Sequence, residues 1–230
     1  VRGRLYEDFL AANVDGVANM ADALMTFDSP PPLLLLSSLA ASRPELSHYA
    51  RSKRAGENLL ARYPALCWSI LRPPAVYGPG DVEMRPLLAL VRRGVALRPG
   101  SSRQRLSLIH AADLADAVLA WLSAPLACCH QTFAIDDGHP GGYDWAEIGR
   151  AVAHRPVRQF AVPGALLRVA GAINDFMARL FGYAPMLTPG KVRELQQEDW
   201  LCDNSAFSAR TGWRPEIGLE AGARTIFGQR

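Results

Sequence analysis

Two groups of polar residues have the types and spacing that proton transfer requires. Tyr49 and Lys53 are four residues apart, so in a helix their side chains lie on one face. The reference pKa of tyrosine is about 10, and an ammonium group one turn away favours the phenolate. Such a tyrosine can exchange a proton with a substrate hydroxyl or carbonyl, and a hydroxyl of Ser37 or Ser38 could hold that same oxygen. The alternative is that Tyr49 and Lys53 form an exposed pair on a helix surface.

The residues around these groups predict the elements that must position them. Residues 33–36 are four leucines that end at Ser37-Ser38, which is typical of a strand buried on both faces of a parallel sheet. Ser47 can cap a helix over 48–62 that contains the tyrosine and the lysine. The other predicted helices are 5–26, 84–93, 113–122, 145–153 and 165–181. The other predicted strands are 67–71, 106–109, 132–135 and 158–162.

The alternation of strands and helices predicts an α/β protein with a mostly parallel sheet. Near Thr132 the sheet is expected to give way to a smaller mixed α/β cap. The 230 residues are 49% hydrophobic and 20% charged, which indicates a globular chain of one large or two small domains. The net charge of +3 is too small, and the basic residues too scattered, for a nucleic-acid binder.

Cysteine spacing and hydropathy exclude further classes of protein. The four cysteines have no metal-ligand spacing, so no metal site is predicted. At this length no disulfide scaffold is expected, and a reducing cytoplasm is the default location. No apolar run reaches the roughly 18 residues that an integral membrane segment requires. The most apolar stretch, 165–181, predicts an amphipathic helix, which could be a core or lid helix or could lie on a membrane surface.

Six segments carry short motifs, and among them the Tyr-x3-Lys and Arg-Pro-x3-Tyr-Gly-Pro elements are specific in combination. They are Asn13-Val-Asp-Gly16, Ser37-Ser38-Leu-Ala-Ala, Tyr49-x3-Lys53, Leu71-Arg-Pro-Pro-Ala-Val-Tyr-Gly-Pro-Gly80, Ile109-His-Ala-Ala-Asp113-Leu-Ala-Asp116 and Thr211-Gly-Trp-Arg-Pro215. In this order they resemble the extended short-chain dehydrogenases/reductases, which include NAD-dependent sugar epimerases, dehydratases and 3β-hydroxysteroid dehydrogenase-like reductases. The resemblance covers nearly the whole chain. It implies a Rossmann-like, doubly wound, mostly parallel sheet with a small mixed α/β C-terminal substrate cap.

The resemblance also implies a role for each residue that matches a family motif. Tyr49 would be the general acid/base, and Lys53 would bind the nicotinamide ribose and lower the pKa of the tyrosine. Ser38 would position the substrate oxygen, with Ser37 as the less favoured candidate. Asn13, together with Tyr49 and Lys53, would contact the cofactor, NAD or NADP.

Residues after the second strand are expected to complete the site. Pro73, Pro74 and Val76 would line the nicotinamide pocket, although a rigid turn at a strand end explains them equally well. Arg105 could meet a substrate anion or be an ordinary surface arginine. His110, by contrast, is expected to have a structural role, as is Asp113 at the start of the next helix.

One part of the family's fold has no counterpart in this sequence. The family's Gly-rich turn lets the backbone approach the pyrophosphate at a helix N-terminus, and Gly78-Pro-Gly80 has a proline where an amide would point. The sequence is therefore expected to be a fragment, as Val1 in place of methionine indicates, or a short protein that does not hold a dinucleotide in the usual way. Residues 1–131 would be the C-terminal part of the dinucleotide-binding domain with some substrate-loop segments. Residues 132–230 would be mainly the substrate-binding cap, and part of this segment could cross back into the dinucleotide-binding domain.

The implied activity is an NAD- or NADP-dependent oxidoreductase or epimerase that acts on a secondary alcohol or ketone by hydride transfer. The substrate could be a sugar nucleotide or a hydrophobic hydroxy compound, and the apolar stretch 165–181 favours the latter. A dehydratase needs an acid/base pair beside the serine, where this chain has Leu39-Ala40. The alternative is a truncated, non-catalytic remnant of the fold that acts as an interaction protein. The expected partners are a small-molecule substrate and a second copy in a homodimer.

Overall fold

The computed structural model describes residues 3, 5–185 and 187–228. Its α-helices are α1 (Glu7–Leu10), α2 (Gly16–Leu24), α3 (His48–Leu59), α4 (Met84–Arg92), α5 (Ala111–Ser123), α6 (Trp145–Ala153), α7 (Gly164–Phe181), α8 (Pro189–Leu195), α9 (Ser205–Thr211) and α10 (Leu219–Phe227). Its strands are β1 (Leu33–Leu36), β2 (Trp68–Arg72), β3 (Ala75–Tyr77), β4 (Val95–Arg98), β5 (Arg105–Leu106), β6 (Leu108–His110), β7 (Gln131–Ala134), β8 (Arg158–Ala161) and β9 (Asp199–Trp200). The chain forms two compact units and passes between them repeatedly.

The first unit comprises the residues up to Arg72 together with Pro125–Thr132 and Pro163–Gln196. Its strands β1 and β2 are parallel, with Leu33 opposite Trp68, in a sheet of order β1-β2-β7 of which β7 begins in this unit. A core cluster of Val17, Ala21, Leu60, Leu66 and Ile70 packs α2 and the end of α3 on this sheet. Val17 and Ala21, which lie within the predicted helix over 5–26, are therefore buried.

The predicted helix over 5–26 is confirmed with one irregularity, because a π-helical turn over Ala11–Asp15 joins α1 to α2. Such turns are rare in proteins, and those that occur often lie at functional sites. The bounds of the predicted strand 33–36 are confirmed. The expected burial on both faces is wrong, because Leu33–Leu35 are half-buried and Leu36 is 44% exposed. The predicted helix over 48–62 is α3 followed by a 3₁₀ turn at Leu60–Arg62.

The second unit comprises Pro73–Ala124, Phe133–Val162 and the residues from Gln197. It contains three pairs of parallel strands, β3 with β6, β4 with β8 and β5 with β9. Its core cluster includes Tyr77 and Trp145. The single strand predicted over 106–109 is in fact two strands, because β5 pairs with β9 and β6 pairs with β3.

A disulfide joins Cys67 to Cys129 in the first unit, with a Cα–Cα distance of 5.0 Å. The two cysteines are 62 residues apart in sequence, but they become neighbours because the backbone N–H of His130 donates to Trp68 O at 2.6 Å. Among the described residues, Cys128 and Cys202 remain as thiols. One cross-link is not a disulfide scaffold, and cysteines that are 62 residues apart carry no local signal that would predict their pairing.

The division into a dinucleotide-binding part over 1–131 and a cap over 132–230 stays a prediction. In the part of the chain that the structure describes, no helix is long and apolar enough to cross a membrane. The same residues contain no group of three or more histidine, cysteine or acidic side chains arranged to hold a metal ion.

Candidate active site

Helix α3 carries the two residues with the most specific spacing. Ser47 caps this helix, since its Oγ accepts a hydrogen bond from the backbone N–H of Ala50 at 2.9 Å. Tyr49 lies in the first turn, half-buried, and the ring of Phe9 packs edge-on against it with centroids 5.9 Å apart. Lys53 follows one turn later on the same face. The helix geometry that the sequence predicts for this pair is therefore present.

Lys53 ties α3 to the carboxyl end of β1. Its Nζ donates to the backbone carbonyl of Leu36 at 3.3 Å, which places the ammonium beside the strand end that continues into Ser37 and Ser38. Burial lowers the pKa of Lys53, and the Glu57 carboxylate acts in the opposite direction. An ammonium has three donor hydrogens, and only the one directed at Leu36 has an acceptor among the described residues.

Ser37 belongs to a buried ion-pair network. Its Oγ donates a hydrogen bond to Glu57 Oε1 at 2.5 Å. The guanidinium of Arg72 donates two hydrogen bonds to the same carboxylate, from Nε at 2.8 Å and from Nη2 at 2.5 Å. The side chain of Glu57 is only 3% exposed, so the bidentate arginine compensates a charge that would otherwise be costly to bury. These bonds give Ser37 a structural role.

Ser38 has a different environment. Its Oγ accepts a hydrogen bond from the backbone N–H of Ala40 at 3.2 Å and caps a short 3₁₀ turn over Leu39–Ser42. The side chain is half-buried, and its own O–H has no acceptor among the described residues. A hydroxyl with an unused donor can hold a substrate oxygen, which supports Ser38 over Ser37 as the substrate-positioning residue.

Asn13 lies in the π-helical turn and faces α3. Its Nδ2 donates to Ser52 Oγ at 2.9 Å, and Ser52 Oγ donates to Tyr49 O at 2.8 Å. The approach of the two helices is close, because a Cβ added to Gly56 would lie 2.0 Å from Asn13 O. Asn13 thus supports the helix that carries Tyr49, and its expected contact with the cofactor stays a prediction.

The remaining candidates lie in the second unit. Pro73-Pro74 follow β2, and Val76 lies in β3 opposite Ile109 of β6. Arg105 donates to Glu147 Oε2 at 2.7 Å and to Gly142 O at 3.2 Å. These contacts account for Arg105 structurally. The proposed contact of Arg105 with a substrate anion stays a prediction. The proposed contacts of Pro73, Pro74 and Val76 with nicotinamide also stay predictions.

His110 and Asp113 have the structural contacts that the sequence led us to expect. His110 caps α5 through Nδ1, which accepts from Ala112 N at 3.2 Å. The buried carboxylate of Asp113 accepts from the backbone N–H groups of Glu216 and Ile217 at 3.1 and 2.9 Å. It therefore fixes the loop that follows the Gly-Trp-Arg-Pro segment.

Comparison with solved structures places the fold. The human epimerase family protein SDR39U1, solved with NADPH, has a TM-score of 0.69 at 19% identity over 94% of this chain and 72% of that one. The UDP-glucuronic acid 4-epimerase of Bacillus cereus, solved with UDP-glucuronic acid and NAD, has a TM-score of 0.64 at 14% identity over 94% and 66%. The predicted Rossmann-like α/β fold class is confirmed.

Comparison by sequence gives the family. The chain is 36% identical over 205 residues to a ceramide reductase of Caulobacter vibrioides; the alignment covers 87% of this chain and 62% of the relative. The chain thus spans less than two thirds of the length of that curated relative. Residues 5–133 match the NAD dependent epimerase/dehydratase family, whose NAD dependence agrees with the expected NAD or NADP cofactor. This match covers more than half of the sequence and confirms the resemblance inferred from the motifs, so the chain belongs to the NAD-dependent epimerase/dehydratase family.

Proposed function

We propose that this chain forms the catalytic part of an oxidoreductase that uses NAD or NADP to interconvert a ketone and a secondary alcohol. The observation that carries the proposal is the position of Lys53. It lies one turn from Tyr49 on α3 and is hydrogen-bonded to the end of β1, where Ser38 follows. This position supports the proposal, because the ammonium that favours the phenolate of Tyr49 lies beside the strand end. The next residues of the chain include Ser38, whose hydroxyl could hold a substrate oxygen.

The residues present fit a nicotinamide nucleotide. The unused donors of the half-buried Lys53 ammonium suit the two hydroxyls of a ribose. When bound, the nicotinamide supplies or accepts the hydride. Asn13, Pro73, Pro74 and Val76 are the further residues that we assign to cofactor binding.

Tyr49 donates or accepts the proton that accompanies hydride transfer. In the direction of reduction, the phenol gives its proton to the carbonyl oxygen as that oxygen gains negative charge, and the phenolate that remains is stabilised by the Lys53 ammonium. The hydroxyl of Ser38 donates a hydrogen bond to the same oxygen and orients it. In the direction of oxidation, the phenolate removes the hydroxyl proton.

We further propose that the substrate is a ketone on a ceramide-like lipid. The support comes from the ceramide reductase, which shares 36% of its aligned residues with this chain. The position beside Ser38 also supports reduction over dehydration, since Leu39 and Ala40 offer no acid/base pair there. A homodimer, in which the helices carrying Asn13 and Tyr49 would meet, is part of the same proposal.

The experiment is a substrate comparison with the purified protein. NADH and NADPH oxidation is followed with a long-chain keto-ceramide and, separately, with UDP-glucuronic acid. We expect consumption of reduced nucleotide in proportion to keto-lipid and no reaction of the sugar nucleotide. Conversion of the sugar nucleotide without net consumption of nucleotide would instead identify an epimerase.

A further inference from the structure

The inner face of helix α7 packs against other residues of the first unit. Gly171 and Ala178 are buried, and a Cβ added to Gly171 would lie 3.0 Å from Val192 Cγ2 of α8. Asn174 Nδ2 donates to Leu187 O at 2.9 Å. These contacts fix which side of α7 packs against the rest of the unit.

The opposite face of α7 is apolar and exposed. Six large side chains lie on it, and at about 100° per residue they fall within an arc of about 100°. They are Leu166, Val169, Ile173, Phe176, Met177 and Leu180, with exposed fractions from 36 to 66%. A stripe of this width normally packs on a core, but in the described part of the first unit it remains open to solvent.

Charged and aromatic residues border this stripe. Arg168 and Arg179 are eleven residues apart, close to three helical turns, so both lie along the same edge. Arg179 is paired with Asp175 at 2.8 Å, whereas Arg168 has no acidic partner among the described residues. Tyr183 follows the helix and is 43% exposed. Arginines along the edge and aromatic rings at the end of an apolar helical face are typical of helices that lie in a membrane interface.

We propose that the outer face of α7, defined by those six apolar side chains, docks on the surface of a lipid bilayer. The helix would lie in the plane of the interface, with the apolar stripe among the acyl chains and Arg168 on a lipid phosphate. The choice of a bilayer as the occupant rests on the proposed function, because a ceramide-like substrate resides in a membrane. It also rests on the charge complementarity between Arg168, which has no acidic partner among the described residues, and anionic headgroups.

The same unit connects this face to Tyr49. Helix α8, on which α7 packs, holds the residues just before α3. Arg193 Nε donates to Leu46 O at 2.7 Å, and the hydroxyl of Ser47 donates to the Glu194 carboxylate. A bilayer bound at α7 would therefore lie one helix away from the segment that positions the proposed acid/base residue.

The experiment is flotation of the purified protein with vesicles of phosphatidylethanolamine and phosphatidylglycerol. We expect the protein to float, and Ile173→Glu/Leu180→Glu to lower the partition coefficient about a hundredfold or more, because two apolar anchors are lost and two charges gained. The matched control, Leu119→Glu/Leu122→Glu, changes two side chains of α5 that are 59% and 58% exposed and should float like the wild type.

Further variants separate the alternatives. Arg168→Gln should weaken binding about fivefold on anionic vesicles and not on phosphatidylcholine vesicles. Tyr49→Phe should float normally, so a failure of the proposed chemistry would not resemble a failure of docking. Two results would overturn the inference: equal flotation of the α7 variant and the wild type, or an α7 variant that converts a dimer to a monomer in sedimentation, which would show that a second copy covers this face.

Discussion

Ser47 and Glu194 form a buried hydrogen bond between the cap of helix α3 and helix α8, 147 residues later in the chain. Ser47 precedes Tyr49 by two residues, and the Glu194 carboxylate also pairs with Lys191 at 3.1 Å. The direction in which α3 begins therefore depends on a segment near the other end of the first unit. This bond therefore contributes to the position of the proposed acid/base residue.

Removal of this bond should cost more than removal of an exposed ion pair. For Glu194→Ala we expect a loss of about 1.5–3 kcal/mol in the free energy of unfolding, because the Ser47 hydroxyl loses a charged acceptor in a buried site. A double-mutant cycle with Ser47→Ala should give a coupling energy of about 1 kcal/mol or more. In a control cycle on the exposed pair Arg224–Glu220, the coupling energy should stay below about 0.5 kcal/mol. Equal coupling in the two cycles would contradict the account.

The two adjacent serines should separate stability from turnover. Ser37→Ala removes a bond to the buried Glu57 carboxylate, so we expect a loss of about 1.5–3 kcal/mol of stability with turnover largely retained. Ser38→Ala removes a cap, which costs about 1 kcal/mol, and a donor to the substrate oxygen, which should lower kcat by about a hundredfold. Thermal unfolding and steady-state rates of both variants test this. Loss of kcat in the Ser37 variant alone would reverse the assignment.

The half-buried ammonium of Lys53 should make stability depend on pH. Because burial lowers its pKa in the folded state, the unfolded chain binds more protons as the pH rises through the folded pKa, and stability increases in that range. We expect Lys53→Met to be at least as stable as the wild type near pH 7 and to lose this advantage near pH 10. Urea unfolding at both pH values measures the difference. A variant that is less stable near pH 7, with a gap that narrows near pH 10, would show instead that the folded state favours the charged lysine.

The Cys67–Cys129 disulfide should contribute to stability through the loop that it closes. A separation of 62 residues corresponds to about 4 kcal/mol in the chain-entropy model. We expect the oxidised protein to show two free thiols in denaturant and the reduced protein four, with a lower Tm after reduction. Cys202→Ala, which removes a thiol outside the disulfide, should leave the effect of reduction unchanged. A Tm that does not respond to reductant would contradict this prediction.

Local patterns were sufficient to predict much of the site's framework. The four leucines of β1 are an apolar run with sharp ends, and α6 begins at Trp145 because Asp144 and Glu147 form a capping box. The Tyr49–Lys53 spacing predicted a shared helix face, which α3 provides. In each case the signal lies within a few residues of the element.

The parts that could not be predicted depend on contacts between distant residues. Strand β4 forms because it pairs with β8, with Val95 opposite Arg158. The Ser47–Glu194 bond has no local signal at either residue. Helix α8 begins at Pro189 with Thr188 as its cap, a start signal that the sequence does offer, but the segment is too short to show a clear apolar period.

The most direct test of the proposed chemistry is a comparison of Tyr49→Phe with Tyr63→Phe. Tyr63 donates to Asp22 at 2.7 Å on the outside of the first unit, so its variant controls for the loss of a phenol. We predict that Tyr49→Phe lowers kcat for keto-lipid reduction by at least about a hundredfold while the Kd for reduced nucleotide and the Tm stay unchanged, and that Tyr63→Phe retains kcat. Retained turnover in the Tyr49 variant would show that the proton comes from another group.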